Sequence, residues 1–275
     1  MQALYISDMD GTLLDERAQL PARTAQLLRE AVEAGVWFTV ATARTVATAL
    51  SIMADVPLKL PIVVMNGVAV YDPISKRYLQ RMVMESALSE RVFALLKSHE
   101  VTGFVYSIDE SGLQVFYENI DAPHRAAFLE TRRQLYGKQF TQVNDFMQLS
   151  RQVPLVYISV AERRERLVPI VEAVRELGAQ VEFYQDTYQP EHWYMEICHP
   201  DASKGAGVRF LRERGGYERV VCFGDNVNDL SMFAASDERY AVANARDEVK
   251  SAADGVIGSN TECGVGVWMR EHVVG

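Results

Sequence analysis

The feature that most constrains the fold is an alternation of short apolar runs with helix-like segments at both ends of the chain. Strand-like runs at 3–7, 36–41 and 61–65 alternate with helix-like segments at 21–34 and 45–55. Alternation of this kind builds a parallel sheet through right-handed crossovers. The same alternation returns in the last part of the chain. We therefore expect an α/β fold whose Rossmann-like parallel sheet is assembled from both ends of the sequence.

The middle of the chain follows a different pattern. Two β-like runs, 103–108 and 113–117, are separated by a short polar turn and predict a hairpin. Further strands and helices are mixed around it, which is typical of an α+β layer. The sequence thus predicts a discontinuous core, 1–82 and 199–275, and an inserted α+β domain, 83–198.

Composition narrows the function. A net charge of −9 and a pI near 5.2 argue against a nucleic-acid partner. No apolar run approaches the length of a membrane span, so none is expected. Three cysteines that form no CxxC pair fit a reducing, cytoplasmic environment. The sequence carries no indication of the oligomeric state.

The run from Asp8 to Leu14 (DMDGTLL) follows the first predicted strand, where open α/β sheets place ligands. Two carboxylates one residue apart need a cation or a proton to be buried, and Mg²⁺ supplies such a cation. A carboxylate can also attack phosphorus, which suits Asp8, while Asp10 could protonate the leaving oxygen and then activate water. Gly11 lets the backbone approach a phosphate. A turn with solvated acids is the alternative interpretation.

Two further positions lie at predicted element ends. Thr42 follows the second strand, where its hydroxyl could donate to a phosphoryl oxygen or cap a helix. Lys204 follows Ser203 at a predicted helix start, where a cation is unfavourable unless an anion lies nearby. A phosphoryl group or an aspartate would serve, and a solvent-facing lysine is the alternative.

The segment Gly224–Asp229 (GDNVND) follows a strand near the C-terminus. Asp225 could complete a metal site, and Asp229, four residues later, could fix Lys204 or a metal-bound water. The alternative is an Asp-Asn turn that caps a helix.

Together these four motifs resemble the haloacid dehalogenase superfamily. DMDGTLL matches its first motif, Thr42 its second, Lys204 its third and GDNVND its fourth. The insert looks like the C2B cap of the Cof-type phosphatases, and the resemblance extends over essentially the whole chain. Two positions depart from the usual pattern, because Ala43 and Ala243 stand where many Cof-type members have glycine. These departures bear on substrate fit rather than on the charged groups.

The resemblance implies a mechanism. Mg²⁺ would be held by the Asp8 carboxylate, the Asp10 backbone carbonyl and Asp225, with Lys204 neutralising the phosphoryl group and Thr42 holding it. The residues expected to contact phosphate or substrate are Met9, Gly11, Ala43, Arg44, Asn66, Gly67 and Asn228. The cap should set specificity, and its candidates are His124, Arg125, His192 and Trp193.

The expected activity is hydrolysis of small phosphomonoesters through an aspartyl phosphate on Asp8. Sugar phosphates are the first expectation, and flavin mononucleotide and pyridoxal phosphate are also plausible substrates. Two other functions stay open at this point: phosphoryl transfer of the phosphomutase type, and a non-catalytic protein that binds a sugar phosphate.

Overall fold

The computed structural model describes residues 2–120, 122–185 and 191–274. Within these stretches, no helix has the length and apolar character that crossing a lipid bilayer requires.

The chain forms two compact units. The first combines Met1–Gln80 with Ser203–Gly275, and the second consists of Arg81–Ala202. Both ends of the chain therefore build one unit, and the middle builds the other.

The N-terminal part of the first unit alternates strands and helices before it ends in a small sheet. Its helix α1 buries Leu27, Leu28 and Ala31 on one face, as the helical spacing of these residues predicts. Strands β3 and β4 pair antiparallel, and β5 joins them in a three-stranded sheet. In chain order the elements are β1 (Ala3–Ser7), α1 (Ala22–Glu33), β2 (Trp37–Val40), α2 (Val46–Ile52), β3 (Ile62–Val64), β4 (Ala69–Asp72) and β5 (Arg77–Arg81).

The second unit is built on a six-stranded sheet in the order β10-β11-β9-β6-β7-β8, antiparallel except for the β7–β8 pair. Residues such as Phe93, Ile170 and Met195 form its apolar core with α3, α5 and α6. Its elements are α3 (Ser86–Ser98), β6 (Phe104–Asp109), β7 (Gly112–Tyr117), α4 (Pro123–Tyr136), β8 (Phe140–Gln142), α5 (Phe146–Leu149), β9 (Leu155–Glu162), α6 (Arg164–Glu176), β10 (Gln180–Gln185) and β11 (Trp193–Cys198).

The C-terminal part returns to the first unit. Ser203 caps its first helix, since the serine hydroxyl accepts a hydrogen bond from the amide of Ala206. The elements are α7 (Lys204–Gly215), β12 (Arg219–Gly224), α8 (Leu230–Phe233), β13 (Glu238–Val242), α9 (Asp247–Ala252), β14 (Gly255–Ile257) and α10 (Gly264–Met269).

The two parts of the first unit share one five-stranded sheet, in the order β14-β13-β12-β1-β2. All its pairs are parallel, which confirms the predicted α/β class with a parallel sheet. Strand β1 lies between β12 and β2, so the residues that follow these three strands meet at one edge.

Candidate active site

The predicted polar residues meet at the carboxyl edge of the parallel sheet. Asp8 follows β1, and its amide continues the sheet ladder by donating to the Phe223 carbonyl at 2.9 Å. Asp225 follows β12, and Thr42 follows β2. Lys204 is the first residue of α7, and its side chain reaches the same edge.

A buried ion-pair chain forms the centre of the site. The Lys204 Nζ donates to Asp8 Oδ1 at 2.5 Å and to Asp229 Oδ1 at 2.6 Å. The Lys204 side chain is only 1% exposed, and both carboxylates are buried. Burial alone would lower the pKa of Lys204, but the carboxylates of Asp229 and Asp8 outweigh it and raise that pKa. Lys204 is therefore a permanent cation that fixes Asp8.

Asp229 has both carboxylate oxygens engaged by the protein. One oxygen holds Lys204, and the other accepts the backbone N–H groups of Asp225 and Asn226 at 2.9 and 3.0 Å. This arrangement orients the Lys204 ammonium and fixes the backbone of the loop after β12. Asp229 thus serves as a structural support for Lys204.

Asp225 lies beside the loop that follows β1. Its Oδ1 accepts the Thr12 hydroxyl at 2.7 Å. Gly11 has φ +81°, and a Cβ there would come within 2.4 Å of Asp225 Oδ2, so only glycine leaves room for this carboxylate. Burial and the charge of Asp229 raise the pKa of Asp225 to about 6.

The donor set fits a divalent cation. Carboxylate oxygens of Asp8, Asp225 and Asp229 all lie within 4.8 Å of one another. Three carboxylates against the single ammonium of Lys204 leave two negative charges uncompensated when all are ionised. Burial raises the pKa of Asp8 well above its usual range; the charge of Lys204 opposes this rise, and the charges of Asp229, Asp225 and Asp10 add to it. A hard divalent ion with oxygen ligands would relieve this charge.

The Asp10 side chain is not part of that carboxylate group. Its two oxygens are held by the Arg44 guanidinium instead, from Nε at 2.7 Å and from Nη2 at 2.5 Å. The sequence indicated Asp10 as a proton-transfer group and Arg44 as a substrate contact. The structure brings the two side chains to each other.

The Thr42 hydroxyl lies in the loop after β2 and is fully buried. Its oxygen accepts the Arg44 amide at 3.1 Å, so its own proton can be donated elsewhere. Asn66 is buried in a left-handed conformation, and its Oδ1 accepts from Asn228 Nδ2 at 3.1 Å. The Asn66 amide also donates to the Thr42 carbonyl at 3.0 Å, so Thr42, Asn66 and Asn228 are joined through the main chain and through an amide pair.

Three predicted contact residues present backbone rather than polar side chains. Gly67 has φ +88°, and a Cβ there would lie 1.8 Å from the Ser203 carbonyl oxygen, so glycine is required where this turn meets the start of α7. The Met9 side chain is wholly buried, and Ala43 is half-buried without a polar group. Any contact of Met9 or Ala43 with phosphate would come from the main chain.

Sequence reasoning gave no role to Thr12, Asn244 or Asn260. The Asn244 Nδ2 donates to the Gly11 carbonyl at 2.7 Å, and its Oδ1 accepts the Asn260 amide at 3.0 Å. Asn260 also donates from Nδ2 to the Leu14 carbonyl at 2.7 Å. These amides anchor the loop that carries Asp8. The available signal was their position just after β13 and β14, at the same edge of the sheet.

The four candidates in the inserted unit make contacts within that unit. The rings of His124 and His192 lie 4.4 Å apart, and Arg125 is buried and donates to the Thr102 carbonyl at 3.0 Å. Trp193 packs on Phe183 at 4.8 Å between ring centroids. A role in specificity stays a prediction for each of them.

A family model described as haloacid dehalogenase-like hydrolase matches residues 5–269. The chain belongs to this family. It is therefore a hydrolase, and the family assignment made from the four motifs is confirmed.

Relatives of this hydrolase cover nearly its full length. The pyridoxal phosphate phosphatase YbhA of Escherichia coli is 27% identical over 273 residues, covering 97% of each chain. The 5-amino-6-(5-phospho-D-ribitylamino)uracil phosphatase YwtE of Bacillus subtilis is also 27% identical and covers 98% of this chain and 97% of its own. The crystal structure of TM0651 from Thermotoga maritima superposes with a TM-score of 0.79 at 22% identity, covering 98% and 97% of the two chains.

Proposed function

We propose that this hydrolase is a phosphatase that cleaves small phosphomonoesters through an aspartyl phosphate on Asp8. The observation that carries the proposal is the buried chain Asp8–Lys204–Asp229, with Asp225 alongside. A carboxylate held at the end of a strand, next to a fixed cation, is arranged to meet a phosphoryl group.

In the first half of the reaction, an Asp8 oxygen attacks phosphorus while the bond from phosphorus to the ester oxygen breaks. Asp10, in its protonated form, gives its proton to the departing alkoxide and becomes a carboxylate, so the products of this half are an alcohol and the aspartyl phosphate. Lys204 keeps its charge beside the reacting group and stabilises the negative oxygens of the transferring phosphoryl. The Thr42 hydroxyl and Asn228 hold those oxygens.

In the second half, a water oxygen attacks the same phosphorus, and the bond from phosphorus to Asp8 breaks. Asp10, now a carboxylate, takes the proton from the water. Inorganic phosphate leaves, and both aspartates return to their starting states. Asp229 takes no direct part, since it acts by holding Lys204 in place.

The proposed cofactor is Mg²⁺, held by the carboxylates of Asp8 and Asp225 and the backbone carbonyl of Asp10. When bound, it would neutralise charge on the phosphoryl group and on the carboxylates around it. The uncompensated charge of the buried carboxylates supports a divalent ion, and their hard oxygen donors favour Mg²⁺ over softer metals.

For the substrate we propose small phosphorylated metabolites, with sugar phosphates tested first. The named activities of the two bacterial relatives also place pyridoxal phosphate and a ribityl phosphate in the test panel. All of these are monoesters with small leaving groups.

The test is release of inorganic phosphate from a panel of such monoesters, with and without Mg²⁺. We expect release that EDTA abolishes and that Mg²⁺ restores. Asp8→Asn keeps the size of the side chain but removes the nucleophile, and we expect its kcat to fall by about 10³-fold or more. Glu248→Gln, at an exposed position of α9, is the matched control and should keep wild-type activity.

A folded Asp8→Asn variant that turns over at the wild-type rate would exclude the aspartyl phosphate. Phosphate release that appears only when a second phosphate acceptor is added would indicate a transferase instead.

A further inference from the structure

Arg44 and Asp10 form a two-point contact inside the proposed catalytic site. The guanidinium donates from two nitrogens to the two oxygens of one carboxylate, at 2.7 and 2.5 Å. This fork-to-fork geometry is the strongest form of an arginine–carboxylate pair. Both oxygens of the Asp10 carboxylate therefore face the Arg44 guanidinium.

The backbone of Arg44 is fixed on both sides. Its amide donates to the Thr42 hydroxyl oxygen at 3.1 Å, and its carbonyl accepts the Met65 amide at 3.0 Å. Its side chain is 16% exposed, and that of Asp10 is 48% exposed. Any rearrangement of this pair is therefore a movement of side chains on a fixed backbone.

The pair cannot serve the proposed reaction in this arrangement. An acid that protonates a leaving group must carry a proton on one oxygen, whereas here both oxygens of Asp10 accept N–H groups from Arg44, although the side chain stays 48% exposed. The Asp10 carboxylate also stands outside the group formed by Asp8, Asp225 and Asp229. Asp10 must leave Arg44 before it can act.

A phosphate group is the natural competitor for the Arg44 fork. The spacing of the guanidinium donors suits the oxygens of phosphate as well as those of a carboxylate. Arg44 also lies two residues after Thr42, the proposed holder of the phosphoryl oxygens. A phosphoryl group that reaches Thr42 therefore arrives within the same loop as Arg44.

We propose that Arg44 is a positioning residue that exchanges partners: it holds Asp10 in the resting enzyme and transfers its fork to the phosphate when substrate binds. The exchange releases Asp10 only when a phosphate is present. This inference rests on the proposed phosphatase function, and it adds a coupling between substrate binding and the proton-transfer group.

The exchange is tested by the binding of inorganic phosphate, which needs no turnover. Isothermal titration calorimetry in Mg²⁺ would compare wild type, Asp10→Asn, Arg44→Gln and the double variant. The exchange predicts that Asp10→Asn frees Arg44 and tightens phosphate binding by about tenfold or more. In the Arg44→Gln background, the same substitution removes only a negative charge and should tighten binding by about threefold or less.

Steady-state kinetics give a second measurement, the separate changes in KM and kcat, which a purely structural role of Arg44 would not produce. Arg44→Gln should raise KM for a phosphomonoester more than it lowers kcat, because Asp10 is no longer held back while a phosphate contact is lost. Arg44→Lys keeps the positive charge but lacks the two-pronged guanidinium, so it should recover only part of the phosphate affinity that Arg44→Gln loses. Arg23→Gln, on the exposed face of α1, is the control and should match wild type.

Equal tightening by Asp10→Asn in both backgrounds would overturn the exchange, since removal of charge alone would then explain the effect. An unchanged KM in folded Arg44→Gln would also overturn it. Absence of phosphate binding in all four proteins would overturn the proposed function as well, so the two failures are distinguishable.

Discussion

Each of the two units buries a carboxylate, and the two are stabilised in different ways. In the unit formed by both chain ends, Asp8 meets the Lys204 ammonium at 2.5 Å, and Lys204 is held in turn by Asp229. In the inserted unit, Glu196 lies in the middle of β11 and is 8% exposed. The groups that the structure places around Glu196 carry hydroxyls and a second carboxylate.

The surroundings of Glu196 favour its neutral form. Burial raises its pKa to about 7, the nearby hydroxyls of Tyr157 and Tyr184 oppose that rise, and Glu182 adds to it. Glu182 is the direct cross-strand neighbour of Glu196, and like charges at such positions repel. The Glu196 carboxyl therefore gains or loses its proton near neutral pH.

The comparison shows that the first unit sets a buried ammonium against its buried acids, whereas the groups around Glu196 are hydroxyls and a second carboxylate. The core holds a fixed cation and several acids, an arrangement suited to binding a metal and a phosphate. The inserted unit holds a carboxyl whose charge depends on pH. Buried acids thus indicate chemistry in the first unit and pH-dependent stability in the second.

The largest expected effect is the loss of the buried cation. Lys204→Met keeps the length of the side chain but leaves Asp8 and Asp229 without their partner, which should destabilise the core by about 3–5 kcal/mol. Phosphate release should fall to background. Hydrogen exchange read by mass spectrometry reports the two units separately, and the loss of protection should be confined to the core.

Lys76→Met, at an exposed position between β4 and β5, is the control and should leave protection unchanged in both units. If Lys204→Met kept the wild-type protection of β1 and α7, the ion-pair chain would contribute little, and the contrast between the units would disappear.

The sequence predicted the core site well because polar residues that directly follow apolar strand-like runs can be recognised in the amino-acid sequence itself. The apolar run of β1 was assigned with its observed bounds, and parallel order alone brings Asp8, Thr42 and Asp225 to one edge. For Lys204 the sequence predicted a phosphoryl group or an aspartate as partner and gave Asp229 as one candidate, whereas its contact with Asp8 was not predicted. Which aspartates meet it depends on the side chain's path, which a helix start does not determine.

Glu196 was not foreseen, because a glutamate within a strand normally faces solvent. Its neighbours Met195 and Ile197 belong to the apolar core, so the period of two places Glu196 on the opposite face. That face is covered in the fold, which strand alternation does not reveal. The bidentate pairing of Asp10 with Arg44 was hidden in the same way, since it joins two loops far apart in sequence.

Short elements were also missed, for a physical reason. Strands β8 and β14 have three residues each, and neither has the continuous apolar run that marks the equally short β3. They form because longer neighbours, β7 and β13, supply a ready edge for pairing.

A smaller expected effect is the pH dependence that Glu196 gives to the stability of the inserted unit. Because the pKa of Glu196 is raised from 4.5 to about 7 on folding, its contribution to stability is present at low pH. That contribution is lost as the pH rises through 7. Between pH 5 and pH 8 we expect the inserted unit to lose about 2–3 kcal/mol from this group. Glu196→Gln should remove this part of the pH dependence, measured by hydrogen exchange of β10 and β11.

Glu176→Gln, at an exposed position in α6, should keep the wild-type pH profile. Equal pH dependence in Glu196→Gln and wild type would mean that Glu196 stays charged in the folded protein. The two units would then treat buried acids alike.

The smallest expected effect concerns the amides that anchor the loop carrying Asp8. Asn260→Ala removes the 2.7 Å bond to the Leu14 carbonyl and should cost about 1 kcal/mol of core stability. Because this loop places Asp8 and Gly11 beside Asp225, we expect a larger change in activity, with kcat/KM lowered about tenfold at constant Mg²⁺. Asn119→Ala, exposed in the inserted unit, is the matched control. A tenfold loss of activity with little loss of stability would show that the core requires precise placement of its charges as well as their compensation. If stability and activity fell together in proportion, the amides would serve the fold alone, and the geometry of the site would depend on the ion-pair chain of Asp8, Lys204 and Asp229.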